Sequence, residues 1–141
     1  MIGIIVTGHG NFATGIESAL TLLVGKQENF AAIDFTADVT MDTLTEKIEL
    51  AVKSLADCQA VCILCDLAGG TPFNRSSELK MKMEQNIEVI GGVNLPIVME
   101  AIMERETADN PQKFTQELLE TGRSMIICYV MADSGEDEFD E

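Results

Sequence analysis

The chain has 141 residues, 46% of them hydrophobic, with 11 glycines, three prolines and no tryptophan. That is enough for one domain around one core, and it excludes collagenous, coiled-coil and wholly disordered classes. Twenty-four acidic against nine basic side chains give a formal net charge of −15, a field that repels nucleic acid and disfavours anionic membrane surfaces.

Residues 1–6 are apolar but short and have no basic flank, so they read as a strand rather than a signal segment or membrane span. The protein is therefore expected in the cytoplasm with its four cysteines reduced. The β-branched run at 2–7 is closed by Gly8-His9-Gly10. From Asn11 the apolar period becomes helical, with Phe12, Ile16, Leu20 and Leu23 on one stripe and Gly25 as the stop. Residues 30–35 form a second strand. Thr43 and Glu46 have capping-box spacing at the start of a helix through Ile48, Val52 and Leu55.

Residues 60–65 form a third strand, followed by Asp66 and a glycine pair, Gly69-Gly70. Pro72 suits the first turn of a helix running to about Met83. Residues 87–90 form a fourth strand, then Gly91-Gly92-Val93-Asn94 leads to a helix through Ile102, the glycines reading as a tight turn. A last helix covers 111–119 and a fifth strand 125–131. The domain is expected over residues 1–131, with 132–141 as an acidic, mobile tail, since six of the last nine residues are carboxylic.

Alternating strands and helices, with several strands apolar throughout, predict an α/β fold: a doubly wound parallel sheet covered on both faces. In such sheets ligands gather at the carboxyl ends of the strands. That rule brings Gly8-His9-Gly10, the 66–71 segment and the 91–94 segment to one rim.

His9 is the only histidine. Its glycine neighbours leave room for another molecule to approach the ring. The amides at the start of the Asn11 helix can hold an anion beside it. Asp66, on the same rim, can accept the N–H of one ring nitrogen and so free the other as a nucleophile; on its own it equally suits a turn or helix cap. Gly70 and Thr71 add amides and a hydroxyl that can receive phosphate oxygens, or Thr71 can cap its helix. These residues suit a phosphoryl group held on nitrogen.

No P-loop is present, no acidic cluster suggests magnesium, and one histidine cannot build a two-histidine zinc site. No metal or cofactor is expected, and an activated phosphoprotein donor would suffice. Cys62 and Cys65 have C-x-x-C spacing but lie within a strand, where residues three apart point to opposite faces. They read as core thiols rather than a redox pair.

Three segments, TGHGNFA at 7–13, DLAGGTPFN at 66–74 and GGVNLP at 91–96, together resemble the IIA components of the mannose family of the bacterial sugar phosphotransferase system. The resemblance spans nearly the whole chain. It implies four parallel strands plus one antiparallel C-terminal strand, the latter exchanged between the subunits of a homodimer, so that 125–131 would pair with the partner's sheet. It further implies that His9 is the phosphorylated residue, Asp66 its support and Thr71 the hydroxyl near the phosphate. Phospho-HPr would be the donor and a histidine of a separate IIB protein the acceptor, with the membrane reached only through IIC and IID. Relatives often carry tryptophan where this chain has Ala68 and serine where it has Thr71. A dihydroxyacetone-kinase phosphocarrier subunit of similar fold, a phosphorylation-dependent regulatory module and a passive binding domain are the alternatives.

Overall fold

Strands apolar at every position need cover on both faces. In the computed structural model, which describes residues 1–132, helices supply that cover. The order is β1 (Ile2–His9), α1 (Phe12–Val24), β2 (Phe30–Phe35), α2 (Met41–Ser54), β3 (Ala60–Cys65), α3 (Thr71–Lys82), β4 (Ile87–Gly91), α4 (Leu95–Glu104) and α5 (Pro111–Ser124). The strands form one sheet in the order β2-β1-β3-β4. All pairings are parallel, with Ile4 beside Phe30, Ile2 beside Ala60 and Val61 beside Ile87.

Side-chain alternation splits the core into two layers. Ile2, Ile4, Val6, Cys62 and Leu64 pack with Leu20, Val98 and Leu118 from α1, α4 and α5. Ile5, Ile63 and Cys65 pack with Leu44, Ile48, Val52 and Leu79 from α2 and α3. Ile4, Ile5, Val6, Ile63 and Leu64 are fully buried, and each such side chain contributes about 1.5–3 kcal/mol. Cys62 and Cys65 thus lie in opposite layers, as strand geometry requires. Burial raises both thiols, Cys65 to about 12, which leaves them protonated core residues.

From β1 the chain moves outward to β2, then passes back over β1 to β3. The reversal lies between β1 and β3, where open α/β sheets form their ligand crevice. β1 ends at His9, and Asp66 immediately follows β3.

Several boundaries differ from those read in the sequence. α2 is capped by Thr40, whose hydroxyl accepts from the Thr43 amide at 3.0 Å. Thr43 is therefore a first-turn residue whose amide receives the cap. Leu23 is 54% exposed, so the buried stripe of α1 stops at Leu20. α5 runs five residues past Leu119 because Gly122 packs inside it: a Cβ there would lie 2.4 Å from Ile97 Cδ1. Residues 125–131 do not join the sheet of their own chain, and they present Ile126 and Met131 at 75% and 76% exposure. The acidic tail lies, from Asp133 onward, outside the described residues. Among the described residues no helix is long and apolar enough to cross a membrane.

The cap assignment has a direct consequence for stability. Thr40→Ala is expected to cost about 1 kcal/mol in urea unfolding, whereas the exposed Glu46→Ala should stay within about 0.5 kcal/mol. A larger loss at Glu46 would restore the capping box to Thr43.

Candidate functional site

β1 continues past its apolar run because Gly8 and His9 pair with Asp34 and Phe35 of β2. Gly10 then turns the chain at φ 59°, a conformation glycine adopts without steric cost, and its N–H donates to the Phe35 carbonyl at 2.8 Å. His9 is therefore the last residue of a strand rather than part of a loose loop. Its side chain is 46% exposed, and its imidazole meets the Phe35 ring edge-on at 5.8 Å.

Asp66 binds His9 twice through one atom. Its Oδ2 accepts from the backbone N–H of His9 and from ring Nδ1, each at 2.9 Å. An ionised carboxylate only accepts hydrogen bonds, so Nδ1 carries the proton and, in the neutral ring, Nε2 keeps its lone pair. Oδ1 of Asp66 is buried without a hydrogen-bond partner among the described residues.

Three glycines make this closure possible. A Cβ at Gly8 would lie 2.8 Å from Asp66 Cγ and 2.7 Å from Phe12 Cδ2. A Cβ at Gly70 would lie 2.8 Å from His9 Cε1 and 3.5 Å from Nε2, so the reactive edge of the ring faces the start of α3. Gly70 has φ −76°, open to any residue, and what it provides is space. A Cβ at Gly91 would lie 2.7 Å from Ala68 Cα, so this glycine seats the turn after Asp66 on the end of β4.

Gly70 is also the N-cap of α3, with Thr71 as its first residue. The amides of Thr71 and Phe73 precede the first intrahelical bond, from Asn74 N–H to the Gly70 carbonyl, and form the open, partially positive end of the helix. Asn74 donates its side-chain amide to the Gly69 carbonyl at 3.0 Å, which fixes the turn.

Thus His9, Asp66 and Gly70 meet directly, and Thr71 follows at the helix end they face. Asn11 does not join them through a cap, since its side chain makes no cap hydrogen bond. The expectation that α1 offers its amides to an anion is corrected for the third of them, because the Thr14 N–H is taken by Asp34 at 3.0 Å. The 91–94 segment is a turn, as read, in which Asn94 caps α4 by accepting from Ile97 N–H at 3.1 Å. Sequence reading missed the roles of Asp34 and Phe35. The one signal was a carboxylate inside an otherwise apolar strand.

The arrangement is suited to nucleophilic chemistry at Nε2. Attack through that lone pair leaves a cationic ring, and the Asp66 carboxylate on Nδ1–H stabilises it. A charge-assisted hydrogen bond of this kind contributes about 1.5–3 kcal/mol.

Known proteins share this organisation. A family model described as the PTS system fructose IIA component matches residues 3–118. The fructose-specific EIIA component of Bacillus subtilis (strain 168) is 33% identical over 106 residues, covering 75% of this chain and 72% of that protein. The mannose-specific EIIAB component of Escherichia coli (strain K12) is 34% identical over 125 residues, which cover 89% of this chain and 38% of that longer protein. The crystal structure of phosphotransferase system component EIIA from Streptococcus agalactiae matches with a TM-score of 0.84 at 33% identity, covering 91% of this chain and 97% of that one. Sequence and fold agree over most of the chain, which belongs to the mannose-type IIA family of the sugar phosphotransferase system.

Proposed function

We propose that this chain is a cytoplasmic phosphohistidine carrier. Nε2 of His9 accepts a phosphoryl group from phospho-HPr and passes it to a IIB component during sugar uptake and phosphorylation. The observation that supports this reading is the double acceptance at Asp66 Oδ2: the carboxylate holds the ring proton on Nδ1, so Nε2 of this half-exposed side chain keeps its lone pair. In the transfer an Nε2–P bond forms as the P–N bond to the donor histidine breaks, and the donor ring leaves with the electron pair. The Nδ1 proton stays between His9 and Asp66. Transfer to IIB repeats the exchange with His9 as the leaving group.

Gly70 and Thr71 support the reading from the other side of the ring. The space at Gly70 admits the phosphoryl group, and the α3 amides and the Thr71 hydroxyl receive its oxygens. Contact with the membrane is indirect, through IIC and IID. The carrier acts as a homodimer in which 125–131 supply an antiparallel strand to the partner's sheet. Two features favour this: β4 stands at a sheet edge, and the segment is apolar and exposed. Pairing would cover both.

With phosphoenolpyruvate, enzyme I and HPr, the intact mass should rise by one acid-labile phosphoryl group, and only when HPr is present. His9→Ala should fold and gain none, while Asp66→Asn should be phosphorylated about 10- to 100-fold more slowly, the rate equivalent of one charge-assisted hydrogen bond. Normal acceptance by His9→Ala would overturn the carrier reading. Gly70→Ala separates space from backbone: stability should hold within about 1 kcal/mol while the transfer rate falls about tenfold or more. An unchanged rate would show that the ring does not use that space. In sedimentation experiments the full chain should run as a dimer, and truncation after residue 124 should abolish it; a full-length monomer would contradict the exchange.

A further inference from the structure

Asp34 is the one charged residue of β2, in the run FAAIDF. Its register partner on β1 is Gly8, the glycine against which Asp66 also closes. It lies on the same sheet face as Ala32, which packs in the α1 layer. There Oδ1 accepts from the Thr14 amide at 3.0 Å and Oδ2 from the Thr14 hydroxyl at 2.6 Å. Thr14 is the third residue of α1, and Asn11, at the capping position, makes no side-chain cap. Asp34 thus does from a neighbouring strand what an N-cap does from the residue that opens the helix, and its charge complements the helix dipole.

The next residue completes the hold. Phe35 accepts from Gly10 N–H at 2.8 Å and sets its ring against the imidazole. Only Gly10 and Asn11 join His9 to α1, and nothing lies within 4 Å of where a Gly10 side chain would start. The link is therefore held by the Gly10 bond to Phe35 and by what fixes its two ends.

We propose that Asp34 is a positioning residue for His9. By tying the start of α1 to β2, it fixes the backbone from which His9 reaches Asp66, and therefore the tautomer that frees Nε2. It touches neither the ring nor the group transferred. The kinetic arm of its test rests on the carrier reading, and the spectroscopic arm does not.

The test compares the full-length wild type with Asp34→Ala, Asp34→Asn and Thr14→Ala. It uses the turnover and KM of HPr-dependent phosphorylation, and 15N spectra of the His9 ring at a temperature where urea unfolding shows each protein folded. Asp34→Ala should lower kcat about tenfold or more at unchanged KM, and an Nε2–H tautomer should appear beside the Nδ1–H form. Asp34→Asn should restore both readouts to within about threefold, because its amide oxygen still accepts from Thr14 N–H and its NH2 can donate to the Thr14 hydroxyl. If Asp34→Ala does not fold, Thr14→Ala removes the hydroxyl, with its 2.6 Å bond to Asp34 and its 3.4 Å bond to the Asn11 carbonyl. It keeps the amide bond to Asp34 and should show the same change of tautomer with a smaller loss of rate. A folded Asp34→Ala, or in its place a folded Thr14→Ala, with wild-type kcat and tautomer overturns the role of Asp34, since a purely structural cap would lower stability and nothing else. A wild type that HPr does not phosphorylate, but whose Nδ1–H tautomer is lost in Asp34→Ala, overturns the carrier reading and keeps the positioning role.

Discussion

One carboxylate oxygen, Asp66 Oδ2, accepts both the backbone N–H and the ring Nδ1 of His9 at 2.9 Å. The backbone bond places the residue, and the ring bond turns the imidazole and chooses its tautomer. Neither suffices alone. A ring held without its backbone would swing with the chain, and a backbone held without its ring would leave both nitrogens available. Among the described residues, the hydrogen bonds to this carboxylate all come from His9, through Oδ2. The glycines around it follow from that demand: Gly8 lets Asp66 approach, Gly70 lets the ring lie beside α3, and Gly91 seats the turn that carries both.

The fold makes this contact possible by placing β1 and β3 side by side at the point where the strand order reverses. His9 and Asp66 are 57 residues apart in sequence but occupy adjacent strand ends. Two apolar layers hold those strands rigid from both faces. The site therefore rests on buried ladders rather than on loops, which is how a hydrogen-bond geometry is kept within the tolerance that group transfer requires. Three elements converge on His9: β2 from one side through Phe35, β3 from the other through Asp66, and α3 in front through Gly70.

Much of this could be read from the chain, and what could not has a common cause. β2 and β3 fall at 30–35 and 60–65 as their apolar runs dictate, and the rule of carboxyl ends pointed to His9, Asp66 and Thr71. Local signals failed where a distant residue decides. The Asp34 bonds to Thr14 join residues 20 apart, and no spacing rule marks them. Read from the sequence, the last helix ends at 119, yet α5 continues to Ser124, with Gly122 packed so closely on Ile97 that a Cβ there would lie 2.4 Å from its Cδ1. Thr43 and Glu46 match a capping box, but Thr40 stands three residues earlier and takes the cap. Periodicity finds an element, while its limits are set by what packs against it.

Asp66, by occupying Nδ1, would direct chemistry to Nε2, and phosphorus–nitrogen coupling in the phosphorylated, 15N-labelled protein tests this most directly. Phosphorus coupled to Nε2 of His9, with the proton retained on Nδ1, is the expected result. Phosphorus coupled to Nδ1 would mean that the His9–Asp66 contact breaks for the reaction, and it would contradict the role given to the carboxylate.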